Sequence, residues 1–145
     1  MSKARKTALI IIAVLIFIPL IMSVVITVVN DNTAADLEKT LVSLPLPENT
    51  VFVESLSKAG KLVGNGNGMQ YYGAMLISSE LSLKELKEYY GEYDCEVYRI
   101  DYPRIDIDHS DIRFKTEPFP DNAYMVEMWG ESPSWLFAEF DIRGH

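Results

Sequence analysis

An uninterrupted apolar run near the N-terminus constrains this chain more than any other feature. The 22 residues from Ala8 to Val29 include no charged side chain, and 16 of them are Leu, Ile, Val or Phe. As a helix rising about 1.5 Å per residue, this run is about 33 Å long, which matches a hydrocarbon core of about 30 Å. A strand in lipid would leave its backbone groups unpaired, so the bilayer favours a helix although 12 of the residues are Ile or Val. The sequence therefore predicts a transmembrane helix over 8–29, with a kink at Pro19.

The charges that flank this run predict its orientation. Three basic residues lie within the tail 1–7. After the run come Asp31 and Asp36, and the first basic residue beyond the run is Lys39. The positive-inside rule then places the tail in the cytoplasm and everything after the span outside the cell membrane. The sequence thus predicts a single-pass protein in contact with the lipid bilayer through the span.

Beyond the span we expect a stalk or linker over 30–48 and an extracytoplasmic domain over 49–145. Residues 33–43 have helical character, so this part is expected either to extend the membrane helix or to form a short separate helix as a stalk. A cleaved signal peptide is the alternative, because Thr33-Ala34-Ala35 loosely resembles a cleavage site. Against it, the apolar region of a signal peptide is usually about 7–15 residues long, so we expect an uncleaved anchor.

The charge balance excludes one class of partner. All 21 acidic residues but only 10 of the 13 basic residues follow the span, so the part beyond it has a net charge of −11. This field repels a phosphate backbone and therefore excludes nucleic acid as a partner. It would attract cationic partners or divalent ions, although an acidic surface also serves solubility alone. Cys95 is the only cysteine, and we expect it to be buried or paired between chains.

The pattern after the span predicts a small α+β domain. Alternating apolar residues predict strands over 50–55, 69–78, 95–102, 123–129 and 135–142, with an extended edge over 105–114 and the last two strands forming a hairpin. The strand 69–78 is apolar on both faces, which is typical of a central, doubly covered strand. One strong helix serving several strands predicts two layers, with an antiparallel or mixed sheet and one main helix packed on one face.

That helix is predicted over 82–90. Ser82 and Glu85 have the spacing of a capping box, and Gly91 is expected to supply a left-handed exit.

Glycines at two further places are interpreted as structural and not as ligand-binding. The stretch Gly64 to Gly68 predicts a hairpin turn and lacks the lysine of a phosphate-binding loop, whereas Gly73 is expected where another element approaches closely.

One acidic stretch suggests a metal site. Asp106, Asp108, Ser110 and Glu117 match positions 1, 3, 5 and 12 of a calcium-binding loop, but Asp111 stands where that loop needs a glycine. Weak calcium sensing by 106–117 is therefore an alternative function, and we assign no metal or cofactor to the domain.

Catalytic motifs are not found in the sequence. It contains no GxSxG or HExxH motif, and His109 and His145 are its only histidines. We predict that the protein is not an enzyme, with an enzyme of unrecognised site as the second alternative.

Trp129 and Trp135 flank the terminal turn and are expected to lie across the hairpin as core partners, or as an exposed pair for a carbohydrate or a protein. The leading prediction is a non-enzymatic domain that binds a protein or a cell-envelope component.

Overall fold

The computed structural model describes residues 3–64, 68–108 and 110–144, so the middle of the predicted turn, His109 and His145 lie outside the described residues. Helix α1 runs without interruption over Lys3–Ser43 and contains Pro19. Its N-terminal part is long and apolar enough to cross a membrane. Only 6% of its most apolar 18-residue window is buried, whereas the core helix of a soluble protein is mostly buried.

The remaining elements alternate between strands and short helices. They are β1 (Thr50–Gly60), β2 (Gln70–Ser79), α2 (Leu83–Gly91), β3 (Glu96–Arg99), β4 (Arg104–Ile107), β5 (Ser110–Arg113), β6 (Ala123–Gly130), α3 (Trp135–Glu139) and a 3₁₀ helix (Ile142–Gly144). Four strands form an antiparallel sheet in the order β1-β2-β6-β3, and β4 pairs with β5. The predicted α+β class is confirmed.

Strand β2 lies at the centre of the core, as its sequence predicts. On one face, Met75 and Ile77 pack with Leu41 of α1 and Leu86 of α2. On the other face, its side chains pack against the β4–β5 hairpin and the segment after it, in a cluster that includes Tyr72, Ala74, Leu76, Ile105, Ile112 and Phe114. The sequence indicated this hairpin only as an extended edge, but its residues Ile105 and Ile112 belong to the cluster that buries the second face of β2.

The C-terminal part of α1 packs directly against the sheet. A Cβ added at Gly73 would lie 3.1 Å from both the Leu37 Cβ and the Glu38 amide nitrogen, which confirms the close approach expected there. At Gly130 an added Cβ would lie 2.7 Å from Leu37 Cδ1. The segment 30–43 therefore extends the membrane helix and rests on two glycines of adjacent strands.

Helix α2 begins as the sequence predicts and ends differently. The Ser82 amide donates to Glu85 Oε2 at 2.8 Å while the Glu85 amide donates to Ser82 Oγ at 3.4 Å, which confirms the capping box. The prediction that Gly91 supplies a left-handed exit was wrong. Gly91 is still helical, and the residue in the left-handed conformation is Asp94, with φ 61°. Aspartate adopts this conformation more readily than most residues.

The predicted terminal hairpin was also wrong. Residues 135–139 form α3, with the Ser134 hydroxyl accepting a hydrogen bond from the Leu136 amide at 3.2 Å. Strand β6 pairs with β2 along its whole length on one side and with β3 over Tyr124–Glu127 on the other, so a following strand would have only the last three residues of β6 to pair with. The alternating apolar residues of 135–142 instead include large side chains exposed to solvent.

Candidate functional site

A cleft of about 520 Å³ opens between the end of β3, strand β6 and the β4 side of the hairpin. It is lined by Val63, Tyr98, Arg99, Ile100, Asp101, Tyr102, Arg104, Ile105, Asp106, Ile107, Asp108, Met125, Glu127 and Trp129. Four of these residues are acidic and two are basic, and three are Tyr or Trp with exposed side chains. We refer to this feature as the aromatic cleft.

The carboxylate of Glu127 has a fixed position in the aromatic cleft. The Tyr72 hydroxyl donates to Glu127 Oε2 at 2.8 Å, and the Trp129 indole donates to Oε1 at 3.2 Å. The two rings pack together with centroids 4.8 Å apart and planes tilted by 57°. Burial, together with the neighbouring Glu127, raises the pKa of Tyr72 well above its ordinary value, so its hydroxyl stays a donor at physiological pH.

The exposed tyrosines of the cleft are also oriented by carboxylates. The Tyr102 hydroxyl donates to Asp106 Oδ2 at 3.2 Å, and the Tyr98 hydroxyl donates to Glu96. The hydrogen bond with Glu96 is the main cause that raises the pKa of Tyr98 to about 12. Their polar ends are thus satisfied within the protein, while their ring surfaces remain exposed.

The acidic stretch proposed for calcium forms part of the β4–β5 hairpin. Asp106 faces Asp111 across the two strands. Arg104 Nε lies 3.1 Å from Asp106 Oδ1 and 3.8 Å from Asp111 Oδ1, and Arg113 contacts Asp111 at 2.5 Å. Within the described residues there is no group of three His, Cys, Asp or Glu side chains that could hold a metal ion. Asp106, one of the residues that match the calcium-binding loop, and the neighbouring Asp111 therefore have arginine partners, and calcium sensing stays an untested alternative.

The two tryptophans lie in different environments. Trp129 belongs to the aromatic cleft, whereas Trp135 is in α3 with its ring 5.9 Å from that of Phe140. The expectation that they lie across a hairpin was wrong, since that hairpin does not form.

Cys95 is free and buried, which confirms one of its two predicted states. Its thiol contacts the carbonyl oxygen of Tyr93 at 3.5 Å. Burial, and secondarily the charge of Asp94, raises the pKa of the thiol. A raised pKa lowers the thiolate fraction, so this environment does not favour a nucleophile.

A buried polar network at the end of the apolar run of α1 was not anticipated from the sequence. The fully buried Asn30 donates through Nδ2 to Asp141 Oδ2 at 2.8 Å and to the carbonyl of Phe137 at 2.9 Å. Asp141 in turn pairs with Arg143 at 2.7 Å, and Arg143 also reaches Asp31 at 2.7 Å. The only available signal was an asparagine directly after an apolar run.

The polar network connects α1 to the C-terminal segment, and the aromatic cleft lies on the opposite face of the sheet from α1. These two features are the strongest candidates for function in the described structure. Comparison of the chain with family profiles, with curated proteins and with solved structures yields no match, so the function is inferred from the geometry.

Proposed function

We propose that this protein is a single-pass membrane anchor whose extracytoplasmic domain binds a segment of a partner protein in the aromatic cleft, without catalysis. The observation that carries the proposal is the fixed carboxylate of Glu127 between Tyr72 and Trp129, at the floor of a cleft with exposed aromatic rings. Exposed Tyr and Trp side chains are frequent anchors of protein interfaces.

The position of β3 favours an extended polypeptide as the ligand. Strand β3 is an edge strand of the main sheet, and its residues Tyr98 and Arg99 line the cleft. Extended peptides bind to sheet edges through backbone hydrogen bonds, and neighbouring pockets select their side chains. Because acidic residues outnumber basic ones in the lining, a segment with Lys or Arg complements the cleft best.

The composition of the cleft supports binding over catalysis. Its described lining contains no serine, cysteine or histidine. Its carboxylates engage phenol, indole and guanidinium groups, as Glu127 and Asp106 illustrate. Such partners hold a carboxylate in one orientation, which suits recognition of a cation.

The polar network supports an uncleaved anchor. Cleavage after Ala35 would remove Asn30, and with it a hydrogen-bond partner of Tyr71 and of Asp141. Leaving buried polar groups without a partner costs about 1–3 kcal/mol each. The folded domain therefore benefits from residues that a signal peptidase would remove.

Site-specific photo-cross-linking in cells that express the full chain tests the binding site. We expect p-benzoylphenylalanine in place of Tyr102 to trap a discrete protein adduct, since Tyr102 is an exposed residue of the cleft. The matched control is the same photoprobe in place of Phe52, an exposed aromatic residue of β1 outside the cleft. In the Tyr102 probe background, Trp129→Ala should abolish the adduct. Equal adducts from both positions, no adduct, or a glycan adduct alone would contradict a protein ligand in this cleft.

Cysteine labelling tests the orientation. Ser43→Cys lies at the end of α1 and is exposed, whereas Thr7→Cys lies before the apolar run. A membrane-impermeant maleimide should label Ser43→Cys in intact wall-free cells and label Thr7→Cys only after permeabilisation. The native Cys95 is buried and contributes little background. The reverse pattern would place the domain in the cytoplasm.

A further inference from the structure

We propose that the C-terminal segment 135–144, here called the foot, lies in the membrane interface beside the span and inserts Trp135, Phe140 and Ile142 among the lipids. This inference goes beyond the cleft and uses only the membrane location that the proposed function already assumes. It assigns a second lipid contact to a chain that otherwise has a single helical anchor.

The depth of the foot follows from its contacts with α1. The Asn30 amide donates to the Phe137 carbonyl at 2.9 Å, and Arg143 Nη2 donates to the Thr27 carbonyl at 3.3 Å. Thr27 lies two residues inside the apolar run, about 3 Å before its end at 1.5 Å per residue. Ile26 is only 3% exposed whereas Val28 is 51% exposed, so the folded domain already covers one face of the last turn of the span. If 8–29 crosses the bilayer, the foot lies at the level of the headgroups.

The exposed surface of the foot has the composition of a lipid contact. Trp135, Phe140 and Ile142 are 70%, 57% and 76% exposed, and the rings of Trp135 and Phe140 are neighbours at 5.9 Å. Soluble surfaces rarely group large apolar side chains in this way. Tryptophan is enriched at membrane interfaces, where its apolar ring and its N–H group are both satisfied.

The foot is held rigidly against the domain. Asp141 pairs with Arg143, which also contacts Asp31 of α1. The Lys61 amide donates to the Arg143 carbonyl at 3.0 Å, and the Gly68 amide donates to the Gly144 carbonyl at 2.8 Å. The apolar side chains therefore have a fixed height relative to the span.

Basic side chains lie beside acidic ones at this end of the domain. Lys58 lines a small hollow together with Asp31 and Arg143, and Lys61 hydrogen-bonds the foot through its backbone. Lysines next to the interface attract lipid phosphates, although the domain as a whole is acidic. A protein covering the foot would itself have to lie in the interface, so lipid is the simplest occupant.

Fluorescence quenching in liposomes tests the depth of each tryptophan. The full chain is reconstituted into phosphatidylcholine and phosphatidylglycerol vesicles as two single-tryptophan variants, Trp129→Phe and Trp135→Phe. In the first, the emission of Trp135 should be blue-shifted and quenched at least threefold more strongly by lipids with a nitroxide at carbon 5 than the emission of Trp129 in the second. Equal quenching of the two would overturn the proposal. A blue-shifted but unquenched Trp135 would also overturn it and would indicate burial by a protein, such as a second copy of the chain.

Two further measurements separate this inference from the proposed function. Phe140→Asp, which alters an exposed side chain, should at least halve the quenching of Trp135 and leave both vesicle flotation and cross-linking from the cleft unchanged. Quenching that persists in this variant would contradict an inserted foot. Failure of the chain to float with the vesicles would overturn the anchor and the foot together, whereas loss of the cleft adduct alone would leave the foot intact.

Discussion

The Tyr71 hydroxyl donates a 2.6 Å hydrogen bond to Asn30 Oδ1, and this contact joins the central strand of the sheet to the first polar residue after the apolar run. The same asparagine donates to Asp141 and to the Phe137 carbonyl through its amide nitrogen. A single buried side chain thus connects the anchor, the sheet and the C-terminal segment. Buried amides with all these partners satisfied stabilise one arrangement of the chain over others.

Replacing Asn30 should therefore destabilise the domain. Asn30→Ala removes one hydrogen-bond partner each from Tyr71 and Asp141, and we expect the free energy of unfolding to fall by about 2 kcal/mol. Denaturant unfolding of the full chain in detergent micelles, followed by tryptophan fluorescence, measures this change. Asn32→Ala is the matched control, since Asn32 is exposed on the same helix. Equal losses in the two variants would contradict the role of the network.

The stability should depend on pH through Asp141. Hydrogen bonds from Arg143 are the main cause that lowers the pKa of this carboxyl from 3.8 to about 2. Because the folded pKa lies below the unfolded one, the stabilisation is complete above pH 3.8 and disappears as the pH falls towards 2. The contribution is about 2 kcal/mol. Asp141→Asn should flatten this part of the stability–pH curve; a curve parallel to that of the unmodified protein would show that Asp141 does not contribute.

Two glycine substitutions should change the stability in opposite directions. Gly73→Ala places a Cβ 3.1 Å from backbone atoms of α1, so the helix must shift, and we expect a loss of about 1–3 kcal/mol. Gly91→Ala has no atom within 4 Å of the new Cβ and lies in α2, where alanine is preferred. It should stabilise the domain by up to about 1 kcal/mol. Thermal unfolding of both variants tests the difference in sign.

The loss of stability caused by a third glycine substitution should be partly relieved by truncating Leu37, the side chain that the glycine contacts. In Gly130→Ala the new Cβ meets the end of the Leu37 side chain at 2.7 Å. We expect Leu37→Ala to relieve this clash, so that the double variant loses less stability than the sum of the two single losses. Strict additivity of the two losses would contradict a direct contact.

The Cys95 thiol should be unreactive in the folded protein. Its burial and raised pKa both reduce the fraction of accessible thiolate. At pH 8 we expect Ellman's reagent to react at least tenfold more slowly with native protein than with protein in denaturant. In Cys95→Ala with Ser43→Cys, the exposed thiol should react at the same rate in both conditions. Rapid reaction of native Cys95 would contradict its buried position.

Local features of the fold could be predicted from the sequence, because each depends on a short stretch of chain. The apolar run, the capping box of Ser82 and Glu85 and the two-sided strand β2 are each patterns within one continuous stretch of at most 22 residues. The strand predicted over 135–142 was wrong because alternation records which residues are apolar and not whether a pairing edge is free. Strand β6 is already paired with β2 along its whole length and with β3 over Tyr124–Glu127.

The candidate sites could not be predicted, since they depend on contacts between distant segments. Asn30 and Asp141 are 111 residues apart in the chain. The orientation of Glu127 depends on Tyr72, which is 55 residues away. Neither pair has a local motif, so only the sheet order and the path of α1 place these groups together.

The unbroken course of α1 has a mechanical consequence. The same helix that is long and apolar enough to cross a membrane continues to Ser43 and packs on the sheet at Leu37 and Leu41, with no break in the helix between the two parts. From the end of the apolar run to Ser43 the helix rises about 20 Å. If the apolar part of α1 lies in a bilayer, a tilt or rotation of that part would therefore turn the whole domain with it, and the mouth of the cleft would keep a fixed direction relative to the helix axis.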